Sequence, residues 1–122
     1  MSLQRRIDSF RYALRGVVDL VRSQVNAQIH LAISAGVLLA GFWLGLSSLE
    51  WVAIVLCMAL VLALEAVNTA LEYLTDLVSP GQHPLAGKAK DVAAAAVLLA
   101  AIGAAVVGLI IFLPKLYALV TG

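Results

Sequence analysis

The chain has 122 residues, of which 63% are apolar and only 12% are charged, and its mean hydropathy is +1.04. A soluble domain carries about twice that charged fraction, so the composition excludes an ordinary soluble protein and favours a single membrane domain over residues 1–122. The net charge of +1 by itself says little about partners, and we expect no nucleic acid among them.

The first 26 residues predict an amphipathic helix that lies on the membrane surface. Apolar side chains recur at helical spacing between Leu3 and Val25, and arginines lie largely between them. Most of these arginines are expected to bind anionic lipid, which leaves one or two for a bound phosphate. No apolar core with a small-residue cleavage site occurs here, so we expect no secretory signal.

Three apolar segments follow, and each is long enough for the roughly 20 residues that cross a bilayer. We therefore predict an all-α integral membrane fold with transmembrane helices over 29–49, 51–78 and 91–118. In the third helix, Val92 to Leu113 carries no polar side chain. A helix with no polar face argues against a soluble bundle of buried helices.

The cationic residues lie almost entirely on one side of these spans. Five arginines precede the first span, and Lys88 and Lys90 lie in the second link, so only Lys115 of the eight cationic residues lies on the other side. The positive-inside rule then predicts that the N-terminus and the second link lie in the cytoplasm and the C-terminus outside. With three spans, we expect a multi-pass protein of the cell inner (cytoplasmic) membrane. Prolines and glycines predict that the second link, Ser79 to Lys90, is not helical. Asp91 would then begin the third helix and can be its N-cap.

A polar face interrupts the second span. On a helix, an arc of roughly 80° contains four polar side chains, namely Glu65, Asn68, Glu72 and Asp76. Ionisable residues in an apolar span cost on the order of 3 kcal/mol or more each, so they are functional candidates. If Trp51 marks the outer interface, Glu65 lies about 21 Å along the helix and Glu72 about 31 Å, against a hydrocarbon thickness of about 30 Å. The face therefore extends from the inner leaflet to the cytosol, which suits a reaction between a lipid-borne group and a water-borne reagent.

These residue types favour phosphoryl transfer. A carboxylate in an apolar setting can act as a general base, and carboxylates at the interface suit Mg²⁺ together with substrate phosphates. Lys90 can offset phosphoryl charge, and Asp91 can orient that lysine. Because no glycine-rich loop of the Walker type is present, a soluble-kinase nucleotide fold is excluded.

Other interpretations of the polar face stay open. Asn68 can be an interhelical hydrogen-bonding residue, and Glu65 and Glu72 can pair with cations of neighbouring subunits for assembly alone. A proton-linked transporter using Glu65 is disfavoured because it leaves Lys90 and Asp91 without a role. Since three spans cannot enclose an acidic face from lipid, we expect a homo-oligomer with sites at or near subunit interfaces.

The polar face also carries a recognisable motif. The segment Glu65 to Glu72, followed by Asp76 and by Gly87 to Asp91, resembles the signature of the small prokaryotic diacylglycerol kinase family. The likeness extends from about Arg5 to Lys115. The E-x-x-N-[ST]-A-[IL]-E core with a downstream A-K-D is specific. Three further segments look closer to the undecaprenol kinase branch: Leu77 to Pro80, His83 to Ala86 and Phe112 to Lys115.

The resemblance implies a homotrimer with three composite sites that transfers the γ-phosphate of ATP, with Mg²⁺, to a lipid hydroxyl. Undecaprenol is the favoured acceptor and diacylglycerol the second. By position, Glu65 matches the general base and Glu72 the metal-binding glutamate. The implied nucleotide contacts are Arg5, Tyr12, Asn68, Glu72, Gln82, His83, Lys90 and Asp91.

One position departs from the family pattern. Gln24 stands where the family usually has a second metal-binding glutamate, and a neutral amide can ligate a hard cation with less charge. The metal site implied by the resemblance is therefore Glu72 with Gln24. The alternative function is a catalytically weak or inactive member that acts as a nucleotide- or lipid-binding membrane scaffold.

Overall fold

The structure is a computed structural model that describes residues 2–122 and, over that range, contains four α-helices and no strand. Their bounds are α1 Leu3–Ser23, α2 Val25–Leu44, α3 Ser48–Val78 and α4 Pro84–Thr121. The prediction of an all-α fold is confirmed. Met1, with which the predicted surface helix begins, lies outside the described residues.

Three of the helices, α2, α3 and α4, are each long and apolar enough to cross a membrane. Most of their large apolar side chains are exposed when the protomer is considered alone. Exposed Leu, Ile and Val in such number suit surroundings of hydrocarbon or of other subunits. The prediction of three candidate spans is therefore confirmed at the level of helix length and composition.

The turn between α2 and α3 is set by local backbone chemistry. Gly45 adopts a left-handed conformation with φ of 75°, and its backbone N–H donates to the carbonyl of Gly41 at 2.9 Å. The helix therefore ends at Leu44, before the predicted end of the first span at 49. α3 then begins with a capping box, in which Ser47 and Glu50 satisfy each other's backbone N–H groups.

The start of α4 differs from the sequence prediction. The helix begins at Pro84, because proline in the first turn lacks an N–H that would have no partner there anyway. His83 caps it, since its Nδ1 accepts a hydrogen bond from the backbone N–H of Leu85 at 3.1 Å. The prediction that Ser79 to Lys90 is non-helical is wrong, because only residues 79–83 lie outside a helix. Asp91 is consequently inside α4 and is not its N-cap.

The helices pack through a narrow apolar core, and the contact between α3 and α4 is the most extensive. The buried apolar side chains come from all four helices: Leu20, Ala27, Ile54, Val61, Ala93, Val97 and Ile111. At one end of the bundle a Cβ on Gly41 would lie 2.8 Å from the Trp51 ring, so this glycine permits the close approach of α2 and α3. At the same end, Lys115 Nζ of α4 lies 3.1 Å from Glu50 Oε1 of α3.

Candidate functional site

Glu65 is the buried acid of the bundle. It lies on α3 and is only 2% exposed. The imidazole of His30 on α2 faces it, with Nε2 at 3.4 Å from Glu65 Oε1. The carboxylate that interrupts the apolar span therefore has an ionisable neighbour from another helix.

Asn68 and Glu72 continue the polar face of α3. The Nδ2 amide of Asn68 donates a hydrogen bond to Glu72 Oε1 at 3.3 Å. Both residues belong to α3. Among residues 2–122, Asn68 therefore makes no side-chain hydrogen bond to another helix. Its Oδ1 is buried and has no hydrogen-bonding partner among residues 2–122, which leaves one acceptor free for a group that the protomer does not supply.

A cavity of about 270 Å³ joins the buried acid to this amide. Three helices line it, with polar groups from α2 and α3 and apolar ones from α4: Asn26, His30, Glu65, Asn68, Ala94, Val97, Leu98 and Ala101. The polar groups therefore converge on one side of a small, mostly apolar space.

A larger cavity of about 810 Å³ lies at the ends of α3 and α4 that meet at the 79–83 loop. Its lining brings together three predicted nucleotide contacts, Gln82, His83 and Lys90. Lys90 Nζ donates to Asp76 Oδ1 at 2.5 Å. The expectation that the adjacent Asp91 orients this lysine is wrong, because the partner is Asp76 across the interface between α3 and α4.

The junction between α1 and α2 is tied to α3 near Glu72. Tyr73 donates its phenolic O–H to Asp19 Oδ2 at 2.7 Å, and its oxygen is 3.4 Å from Ser23 Oγ. Gln24, the next residue, donates from Nε2 to Ser23 Oγ at 3.2 Å. These bonds hold the predicted metal ligand at the junction, half-buried, on the side of α3 that carries Tyr73.

The other predicted site residues are not gathered with this group in one protomer. Arg5 and Tyr12 are exposed on α1, and helical rise separates them from Asp19 by about 21 Å and about 10 Å. Tyr12 instead packs beneath Arg15, whose guanidinium carbon is 5.6 Å from the ring centre. Asp91 is exposed on α4.

No cluster of three or more His, Cys, Asp or Glu side chains placed to hold a metal ion occurs in residues 2–122. The predicted metal pair of Glu72 and Gln24 includes only one such residue. Asn68, which is hydrogen-bonded to Glu72, offers an amide oxygen to a metal ion rather than a carboxylate.

Comparison with known proteins assigns the family. Residues 11–112 match the model of the prokaryotic diacylglycerol kinase family. The chain belongs to that family. The sequence resemblance is thereby confirmed, because the match covers the polar face of α3, the 79–83 loop and most of α4.

Several curated relatives carry kinase names. Undecaprenol kinase of Bacillus subtilis is 44% identical over 114 residues, which cover 93% of each chain. Diacylglycerol kinase of Synechocystis is 45% identical over 112 residues, or 91% of this chain and 64% of that longer protein. Diacylglycerol kinase of Escherichia coli is 36% identical over 64 residues, which cover 52% of each chain.

Sequence reasoning missed two contacts of this family member. His30 is not among the residues predicted for the site, although its imidazole faces Glu65. The available signal was that His30 is itself an ionisable side chain in an apolar span, and such residues pair with one another. The bond between Tyr73 and Asp19 had no comparable signal, because both residues have exposed positions.

Proposed function

We propose that the chain is an ATP- and Mg²⁺-dependent membrane lipid kinase, which transfers the γ-phosphate of ATP to the hydroxyl group of a lipid. One observation carries the proposal. Glu65, buried in an apolar helix, begins a line of polar groups that continues through Asn68 and Glu72 to Asp76, at the edge of the large cavity. Family membership supports a kinase, and the three apolar helices support a membrane protein.

In this proposal Glu65 is the general base. It takes the proton of the lipid hydroxyl as the hydroxyl oxygen attacks the γ-phosphorus. A base at membrane depth is needed because the acceptor hydroxyl is attached to a lipid. The apolar side of the cavity, formed by Ala94, Val97, Leu98 and Ala101, excludes water that would compete for the phosphoryl group.

The nucleotide is proposed to occupy the larger cavity. Its volume of about 810 Å³ lies within the range of roughly 300–1,000 Å³ that is usual for small-molecule sites. Lys90 offsets the phosphate charge, and Gln82 and His83 cover the nucleotide from the loop. Asn68 and Glu72 approach the phosphates from α3, and Asp91 from α4.

The residues present fit a Mg²⁺ ion. The metal prefers hard oxygen donors, and Glu72 lies beside Asn68, whose buried Oδ1 has no partner among the described residues. We propose that Glu72 holds the ion with the help of the Gln24 amide oxygen. When bound, the ion offsets charge on the β- and γ-phosphates.

We further propose a homotrimer with composite sites and a surface helix at its N-terminus. Arg5 and Tyr12 are remote from the polar face along α1 of the same protomer, so a neighbouring protomer would receive their contacts to the nucleotide. The apolar and cationic residues of α1 suit the inner leaflet of the cell membrane. The charge distribution of the links supports a cytoplasmic N-terminus.

Undecaprenol is the favoured acceptor, and diacylglycerol is the second. The preference rests on the Bacillus subtilis relative, which is named undecaprenol kinase and matches over 93% of both chains. The diacylglycerol kinases of Synechocystis and Escherichia coli match less of their own lengths.

The test is a lipid panel with the purified protein in mixed micelles. Undecaprenol, diacylglycerol and a lipid without a hydroxyl group are each incubated with Mg²⁺ and ATP labelled at the γ-phosphate, and the extracted lipids are separated. We expect label on undecaprenol first, on diacylglycerol more slowly and on the third lipid not at all. Absence of label on every lipid would contradict the proposed function.

A second candidate function is a catalytically weak or inactive member that binds nucleotide or lipid as a membrane scaffold. Gln24 favours it, since the family's second metal-binding glutamate is replaced by an amide. The scaffold predicts nucleotide binding without any labelled lipid. Under this alternative, wild type transfers almost no γ-phosphate to lipid, and Gln24→Glu increases that transfer.

A further inference from the structure

The contact between His30 and Glu65 is not explained by packing alone. It brings two ionisable side chains from different helices together inside an apolar bundle, with 3.4 Å between Nε2 and Oε1. Placing such groups in a membrane span is expensive, so they usually pair with one another or mark a proton path. At 3.4 Å the contact is longer than a good hydrogen bond, as catalytic contacts often are before substrate binds.

The surroundings of the pair narrow its role. Across the small cavity, α4 presents only apolar side chains, and the other polar groups are the uncharged amides of Asn26 and Asn68. Within the lining of this cavity, His30 is therefore the only titratable group that faces Glu65. The nearest acid along α3 is Glu72, about 10 Å away by helical rise.

Glu65 is more deeply buried than His30. The side chain of Glu65 is 3% exposed, whereas that of His30 is 23% exposed. A proton taken up by the buried carboxylate must leave before the next turnover. The imidazole is the less buried partner of the pair, so we expect the proton to leave through it.

We infer that His30 is a positioning residue for Glu65, which orients the carboxylate and then receives the proton that the carboxylate has abstracted. The inference rests on the proposed function, because it needs Glu65 to be the base. It adds a group on α2 to the reaction, whereas the polar face alone supplies only residues of α3.

The lipid oxygen forms a bond to the γ-phosphorus while the bond from that phosphorus to the bridging oxygen breaks, and ADP leaves with the electron pair. The hydroxyl proton moves to the Glu65 carboxylate and then to Nε2 of a neutral His30. The imidazolium returns the proton to water and is neutral again for the next turnover.

The experiment compares His30→Gln and His30→Ala with wild type. Glutamine can still contact Glu65 but cannot accept the proton, and alanine removes the contact. Ser34→Ala is the matched control, because Ser34 lies one turn further along α2 and shares a separate, apolar cavity with His30. For each protein, kcat and KM for ATP are measured from pH 5 to 9 with the acceptor lipid that wild type uses.

We expect kcat to fall about 10- to 100-fold in both His30 variants, with KM for ATP unchanged, since the larger cavity is lined by other residues. The pH profile of kcat should change shape in both variants, because neither glutamine nor alanine can accept the proton from Glu65. Ser34→Ala should match wild type. If alanine prevents folding, the glutamine variant alone decides.

Provided that wild type is active, two outcomes would overturn the inference. One is wild-type kcat in His30→Gln, and the other is a reduced kcat with a pH profile of unchanged shape, which would mean a structural role. A wild-type protein that labels no lipid would instead contradict the proposed function. An infrared measurement of the Glu65 carboxyl band, identified by its loss in Glu65→Gln, tests the pair without activity. The frequency of this band should shift in His30→Gln, because the contact with the imidazole is changed, and an unshifted band would also overturn the inference.

Discussion

Replacing Glu65 by glutamine removes a charge and almost no volume. The position is 2% exposed, so a smaller residue would leave a cavity and confuse loss of function with loss of packing. Glutamine keeps the shape of the side chain and can still contact His30. The variant therefore isolates the ability of the carboxylate to accept a proton.

The expected loss follows from the role of the base. General base catalysis typically contributes about 10²- to 10⁴-fold, which corresponds to roughly 3–5 kcal/mol of barrier. We expect Glu65→Gln to lose kcat by at least that factor. KM for ATP should change little, because Glu65 lies about 10 Å along α3 from Glu72 and does not line the larger cavity.

The assay follows transfer of labelled γ-phosphate to undecaprenol in mixed micelles, with the oligomeric state checked by size-exclusion chromatography. Glu50→Gln is the matched control, since it makes the same chemical change on the same helix about 22 Å away, outside both cavities. Wild-type transfer by Glu65→Gln would contradict the role of Glu65 as the general base. An equal loss in both variants would refute it too, because the effect would then not be specific to the buried acid.

Three further predictions concern other contacts. Gln24→Glu should strengthen Mg²⁺ binding several-fold, because it adds a negative charge, and a Mg²⁺ titration of activity that does not shift would contradict this. Tyr73→Phe should lower the free energy of unfolding by about 1 kcal/mol and increase hydrogen exchange in α1, because the hydrogen bond to Asp19 is removed. Unchanged exchange would argue that this bond does not hold α1 against α3. Lys115→Met should lower Tm slightly but leave KM for ATP unchanged, because the pair with Glu50 lies at the opposite end of α3 from the larger cavity; a raised KM would disprove this separation.

The helical fold was predictable because its signals are local. Long apolar segments indicate helices that can cross a membrane, and the 3.6-residue period shows that Glu65, Asn68 and Glu72 share a face. The helix ends were less predictable. A proline such as Pro84 can either interrupt a helix or stand at its first residue, and the sequence pattern does not distinguish the two. In the structure it begins α4, because His83 supplies the cap.

By itself the sequence determined the helices, the polar face of α3 and the family motif, since each depends on residue type and short spacing. Only the tertiary structure decided which side chains meet across helices. The meeting of His30 with Glu65, and of Lys90 with Asp76, 14 residues away, depends on how α2, α3 and α4 are rotated and offset against one another. Those rotations follow from packing of the whole bundle, so no local pattern contains them.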